Sequence, residues 1–171
     1  MKSIVVVSSL TGNTLKVGDI VAYALEENMT TVKVEEMPDV SDYDLVVVGC
    51  WVDRATADAR AQEFIKTIKN KKVAFFVTLG AEADSEHAQV CLKNIGALFD
   101  ESNELVGQFI CQGAVSLRMM EVMAKRFPAG HSHAMTDERK KRMEASHSHP
   151  DMADLQAARA YFADLKQRLE G

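Results

Sequence analysis

A cluster of hydroxyl side chains around one glycine is the first stretch of this sequence that could do chemistry. It reads Ser8-Ser9-Leu10-Thr11-Gly12-Asn13-Thr14 and lies between an apolar run and a helical pattern of apolar residues. The amides that begin a helix have no intrahelical partner, and the helix dipole places partial positive charge there. The stretch therefore predicts an anion site to which Ser9, Thr11 and Thr14 add hydroxyl donors, with Ser8 as a weaker candidate.

The composition of this turn indicates which anion it would hold. It has neither the Gly-Lys-Ser/Thr of a Walker loop nor the G-x-G-x-x-G of a dinucleotide loop. No Lys or Arg lies within it, and Lys16 is the first cation after it. Gly12 lets the backbone approach a ligand, and Asn13 tolerates unusual backbone angles. Amides and hydroxyls alone suit a terminal phosphate monoester, whereas simple helix capping explains only one hydroxyl.

Two motifs carry a resemblance to a known family. Ser9-x-Thr11-Gly12-Asn13-Thr14 after a first strand resembles the FMN phosphate loop of flavodoxins, and the similarity continues along nearly all of the chain. Gly49-x-Trp51-Val52-Asp53 with the late His149-Pro150-x-x-x-Asp154-Leu155 is similar to a bacterial branch of that family. That branch includes the flavodoxin-like partner of bilirubin reductase. The resemblance implies FMN as cofactor and a redox partner protein.

Alternating strand and helix patterns predict the elements that position the turn. Strands are expected at 2–7, 31–35, 45–49, 72–78 and 105–111, and helices at 12–27, 56–69, 85–99, 116–126, 137–144 and 151–169. This alternation predicts an α/β fold, a doubly wound five-stranded parallel sheet in the flavodoxin-like order 2-1-3-4-5. The length suits a single domain over 1–171 with an extended helical C-terminal segment. Its extra part, 128–150, is expected to pack beside the cofactor edge or a partner, although a solvated helix without a role stays open.

Ligands of such sheets bind beyond the carboxyl ends of the strands, so residues 8–14, 50–56 and 78–87 should meet. Trp51 is the only Trp of the chain. The resemblance implies that its indole stacks on the isoalloxazine, although a Trp that merely covers a strand end stays open. The further residues expected at the cofactor are Cys50, Val52, Asp53, Arg54, Thr78, Leu79, Gly80 and Ala81.

The sequence departs from the family pattern at two places. The third loop has no aromatic residue to complete a sandwich around the flavin, which predicts one-sided stacking; His87 is expected on the exposed start of the third helix. Ala55 stands where flavodoxins often have a Gly whose peptide flips when the flavin is reduced.

Charge and cysteine usage limit the function classes. A net charge of −5 makes nucleic acid an unexpected partner. No apolar run would span a bilayer and no secretory signal is evident, so no membrane role is expected. Three cysteines without paired spacing fit a reducing, cytoplasmic setting.

Histidine pairs and methionines are the remaining candidates. His131-Ser132-His133 and His147-Ser148-His149 look like metal ligands, but no Cys or carboxylate completes a set at a typical spacing, so no metal is expected. Met119, Met120 and Met123 are expected in the core.

Three functions remain open. The first is an FMN-binding electron-transfer protein that donates electrons to a partner oxidoreductase and needs no catalytic residue of its own. The second is an FMN-dependent NAD(P)H or quinone reductase, and the third is a flavin-free interaction subunit.

Overall fold

A parallel sheet with the predicted strand order organises the chain in the computed structural model, which describes residues 1–132 and 134–171. Its strands are β1 (Ser3–Val7), β2 (Val32–Lys33), β3 (Leu45–Asp53), β5 (Lys72–Leu79) and β6 (Glu104–Gln112). They lie in the order β2-β1-β3-β5-β6, all parallel, which confirms the expected 2-1-3-4-5 order. A short strand, β4 (Thr56–Ala57), pairs antiparallel with β3 and was not predicted.

Helices cover both faces of the sheet. They are α1 (Asn13–Leu25), α2 (Ala59–Ile65), α3 (Glu86–Gly96), α4 (Leu117–Arg126), α5 (Asp137–Ala145) and α6 (Met152–Glu170), with short 3-10 helices at Val34–Glu36 and Ser146–Ser148. No helix in the described residues is long and apolar enough to cross a membrane.

Two hydrophobic cores explain why the central strands are continuous apolar runs. Side chains alternate along a strand, so Val46 and Val48 pack toward α2 and α3 while Leu45 and Val47 pack toward α1 and α6. The side chains of Phe64, Ile65 and Ile68 are fully buried. In the second core, Phe162 of α6 meets Phe76 edge-to-face with ring centroids 6.1 Å apart. Each such buried side chain contributes about 1.5–3 kcal/mol, which fixes α6 against the sheet.

The ends of several strands and helices differ from the predicted ones, mainly because β3 continues beyond the parallel sheet and pairs with β4. Cys50 to Asp53, predicted as loop, continue β3 because β4 supplies pairing partners at Val52–Ala57 and Asp53–Thr56. The second helix therefore begins at Ala59 rather than at Thr56. The second strand has only two residues because the chain turns into a 3-10 helix at Val34.

The segment 128–150 is tied to the chain that follows β6. The amide of Val115 donates to Ser146 Oγ at 3.1 Å, and the amide of Ala114 donates to the carbonyl of His149 at 2.8 Å. Ser146 is fully buried, whereas α5 has no buried residue. The segment is therefore tied to the domain through its C-terminal part, whereas the residues of α5 are exposed or half-buried. His133, one of the predicted metal-ligand candidates, lies outside the described residues.

Candidate functional site

A cleft of about 150 Å³ opens at the carboxyl ends of β1, β3 and β5, where the sequence predicts the site. It brings together nine of the expected residues, namely Leu10, Thr11, Asn13, Thr14, Trp51, Val52, Thr78, Leu79 and Gly80. Residues that the sequence did not indicate complete the lining: Gly113, Ala114, Val115, Ser116 and Met119. The carboxyl end of β6 reaches the same sheet edge, which is the signal that could have indicated them.

The hydroxyl-rich turn presents backbone amides at the start of α1. Gly12 is the N-cap with φ of 94°, a left-handed conformation that glycine adopts without steric cost. Ser9 Oγ accepts from the amides of Gly12 at 3.1 Å and Leu15 at 3.3 Å. Within the described residues, the amides of Thr11, Asn13 and Thr14 donate no hydrogen bond. Three such donors at a helix N-terminus could hold an anion.

Side-chain hydrogen bonds hold two residues of the turn against neighbouring elements. Thr14 Oγ1 lies 2.8 Å from Thr78 Oγ1 on β5, and Asn13 Nδ2 donates to the carbonyl of Ala114 at 3.2 Å. Thr11 is exposed, so its hydroxyl can turn toward a ligand. The turn is thus fixed by contacts across the cleft.

Ser8 lies behind the turn rather than at its surface. Its hydroxyl donates to Asp58 Oδ1 at 2.7 Å and its amide donates to the carbonyl of Gly49 at 2.8 Å. Both of its donors are used within the protein, so Ser8 supports the turn instead of contacting a phosphate.

Asp58 and Cys50 form a buried polar pair behind the same sheet edge. Asp58 Oδ1 caps α2 by accepting from Ala61 at 3.2 Å, while Oδ2 has no hydrogen-bond partner among the described residues. Burial, and secondarily the Asp58 charge, raises the pKa of the Cys50 thiol far above its usual range. A fully buried, protonated thiol is not a nucleophile. The Cys50 side chain is a core residue and does not line the cleft, so the structure does not support a contact between this thiol and the cofactor.

Trp51 forms one wall of the cleft and Met119 of α4 lines it as well. Trp51 is half-buried on β3 beside Thr78 of β5. Met119 is 39% exposed, which corrects its expected place in the core. Leu10 is 64% exposed. An indole and a flexible thioether in one cleft suit contact with a flat apolar ring.

The β3–β4 hairpin turns at Arg54 and Ala55, beyond the cleft lining. Their φ values of 51° and 62° are both left-handed, as a type I′ turn requires. The carbonyl of Ala55 accepts from Asn94 Nδ2 of α3 at 2.9 Å. Asp53 and Arg54 are exposed at the hairpin and do not line the cleft. The hairpin is thus held by α3 in a conformation that alanine adopts only at a cost.

A second cavity adjoins the cleft through Gly80, which lines both. Ala81, expected at the cofactor, lines this second cavity and not the cleft. His87 lies on the exposed start of α3, as predicted, and also lines this cavity.

The His149 motif explains how α6 begins. His149 Nδ1 lies 2.6 Å from Asp154 Oδ2, which also accepts from the amide of Asp151 at 2.8 Å. Asp151 Oδ1 accepts in turn from the amide of Asp154 at 2.9 Å, and this hydrogen bond lowers the pKa of Asp151. The sequence did not indicate that two carboxylates would approach His149. Both are occupied in capping α6, so we assign the group to helix capping.

Comparison with known proteins agrees with this geometry. The family described as the Flavodoxin domain matches residues 4–163. The flavodoxin-like domain-containing protein BilS of Clostridioides difficile (strain CD3) is 30% identical over 169 residues, which cover 96% of each chain.

Solved structures share the fold at low sequence identity. Oxidised Flavodoxin 2 from Bacillus cereus is 14% identical with a TM-score of 0.58, over 98% of this chain and 99% of that one. A flavoprotein in complex with FMN from Lactobacillus acidophilus NCFM is 12% identical with a TM-score of 0.51, over 64% and 92%. The sheet order, the cleft at its switch point and the match over residues 4–163 show that this chain belongs to the flavodoxin-like family.

Proposed function

We propose that this protein binds FMN in the cleft and donates electrons from it to a partner oxidoreductase. The observation that carries the proposal is the group of amides at Thr11, Asn13 and Thr14, at a helix N-terminus and beside Trp51. A donor set without cations fits a phosphate monoester, and an apolar cleft next to it fits an attached ring system. The chemistry of the lining therefore fits FMN.

The residues divide into three roles in this proposal. The turn from Ser9 to Thr14 holds the phosphate, Trp51 and Met119 flank the ring, and the backbone at Thr78 to Gly80 contacts its edge. Bound FMN would supply the electron-transfer chemistry, which no side chain here provides.

The absence of ionisable groups favours an electron carrier over an enzyme that moves protons. None of the described residues that line the cleft has an ionisable side chain. General acid–base catalysis needs such a group within hydrogen-bond reach of the reacting atoms. The expected lack of catalytic residues is therefore retained as part of the proposal.

The exposed apolar side chains at the cleft support docking of a partner. Leu10 and Met119 line the cleft and are 64% and 39% exposed. Apolar groups beside a redox centre let a partner exclude water and approach closely. The cytoplasm is the proposed location, because Cys50, Cys91 and Cys111 are all buried free thiols.

A flavin-dependent reductase is the second candidate, because the cavity that adjoins the cleft could admit a substrate. Steady oxidation of NAD(P)H by the FMN-loaded protein, with a quinone as electron acceptor and no partner protein present, would favour the reductase. A protein that retains no FMN would instead support a flavin-free interaction subunit.

Comparing FMN with riboflavin tests the proposal, since only FMN has the phosphate. Thr11→Ala should weaken FMN binding by about 1.5–3 kcal/mol, the range for a hydrogen bond to a charged group, and leave riboflavin binding unchanged. Thr30→Ala, an exposed threonine far along the chain from the turn, is the matched control and should change neither affinity. Equal weakening of both ligands by Thr11→Ala would show that the turn is not the phosphate site.

A further inference from the structure

The second cavity, of about 350 Å³, lies between α5, the chain after β5 and the first turn of α3. That volume is in the range of small-molecule sites. Its lining comes from separate parts of the chain, namely Gly80, Ala81, Glu82, Ser85, His87, Gln112, Lys141, Arg142, Ala145 and His149. The extra segment therefore builds one wall of a cavity whose other walls belong to the domain.

Two neighbouring cations of α5 give this cavity its charge. Lys141 and Arg142 both line it, and neither forms an ion pair among the described residues. Glu82 is the only carboxylate among the described lining residues. Both cations are exposed, so they remain hydrated and can pair with a mobile anion.

Neutral and titratable donors accompany the two cations. Gln112 lines the cavity and its Nε2 donates to the carbonyl of Gly80 at 3.3 Å. The imidazoles of His87 and His149 also line it, and His149 Nδ1 is engaged by Asp154, which leaves Nε2 as its other ring nitrogen. The lining is thus richer in hydrogen-bond donors than in carboxylates.

The surrounding segment has a net positive charge, whereas the whole chain has a net negative charge. Residues 116–149 include seven Lys and Arg against four Asp and Glu, whereas the chain has 20 against 25. A basic surface on an acidic protein concentrates anions locally without raising non-specific anion binding elsewhere.

From the cavity, its two cations that form no ion pair within the described part of the chain, and its position beside the cleft, we propose that it binds the anionic end of a small organic molecule bearing phosphate or carboxylate. Arg142 offers a planar fork of donors and Lys141 a point charge, a combination that suits either group. Because Gly80 lines both spaces, the rest of such a molecule can extend toward the cleft. The proposal goes beyond the proposed function, and the site needs no flavin to form.

Titration with two defined anions, followed by amide NMR at low ionic strength, tests the proposal. Pyrophosphate represents the phosphate class and citrate the carboxylate class. Amide chemical shifts should change at residues 80–85 and 141–145 of the FMN-loaded protein, in which the phosphate of FMN already occupies the turn at 8–14. If the protein binds no FMN, the same titration on apoprotein separates the two sites, because shifts at 11–14 report the turn alone.

A charge-matched pair of variants decides whether the cavity or the general charge binds the anion. Lys141→Gln with Arg142→Gln should weaken binding of the preferred probe by about tenfold, as loss of charge-assisted hydrogen bonds predicts. Lys125→Gln with Lys140→Gln removes the same charge from the same segment outside the lining and should change affinity by less than about twofold. Equal weakening by both pairs, or shifts confined to 11–14, would overturn the proposal, as would no shifts with either probe.

Discussion

The close packing of Gly80 against Val115 gives a perturbation whose sign and size follow from the structure. A Cβ at Gly80 would lie 2.4 Å from Val115 Cγ2, well inside the normal carbon–carbon separation of about 3.5–4 Å. Val115 cannot easily move, because its β-branched side chain is stiff and its amide is bound to Ser146. Gly80→Ala should therefore lower the free energy of unfolding by about 1–3 kcal/mol, the cost of overpacking.

A double-mutant cycle identifies Val115 as the cause. Val115→Ala removes Cγ2, so the free energy of unfolding of the double variant should exceed the value expected from the single variants by about 1–2 kcal/mol. Gly96→Ala is the control, since its Cβ would meet Leu105 at 3.5 Å, an ordinary contact, and should cost little. Urea denaturation measures the free energy of unfolding of each variant. FMN titration measures whether the change at the cleft wall alters FMN affinity. Additive effects of the two single substitutions would refute the reasoning.

Three further substitutions test contacts behind and beside the cleft. Ser8→Ala leaves the buried Asp58 without its hydroxyl donor and should lower the free energy of unfolding by about 1–3 kcal/mol in urea; an unchanged midpoint would contradict that role. Ala55→Gly relieves the left-handed φ of 62° and should raise the urea midpoint slightly, whereas a lower midpoint would show that the turn is unstrained. The Asp154 amide lowers the pKa of Asp151, so the stability this group adds is present above the ordinary carboxyl pKa and is lost as the pH falls below about 4. Asp151→Ala should reduce that loss below about pH 4 in acid unfolding curves, and an unchanged loss would exclude Asp151 as its source.

Sequence periodicity predicts the sheet well because apolar runs and helical spacing are local signals. The runs at Ile4–Val7 and 45–49 are long enough to indicate buried parallel strands, and their order follows from the crossover rule. The hydroxyl turn is equally local, so its place at the start of α1 was predicted.

Long-range pairing explains what could not be predicted. The β3–β4 hairpin turns at Arg54 and Ala55 without the Asn or Gly that normally indicate such a turn. The contacts of Ser8 with Asp58, and of Met119 with the cleft, join residues far apart in the chain. Residue type alone places a serine at the ligand and a methionine in the core, and tertiary packing reverses both expectations.

The emission of Trp51 tests the central claim most directly, because it is the only Trp and it lines the cleft. FMN added to apoprotein should quench this emission strongly, with an end point at one equivalent, because an indole stacked on a flavin loses its excitation to the ring. Ultrafiltration measures bound FMN independently in the same samples. Emission that stays unchanged while FMN binds would place the ring away from Trp51 and contradict the proposed site.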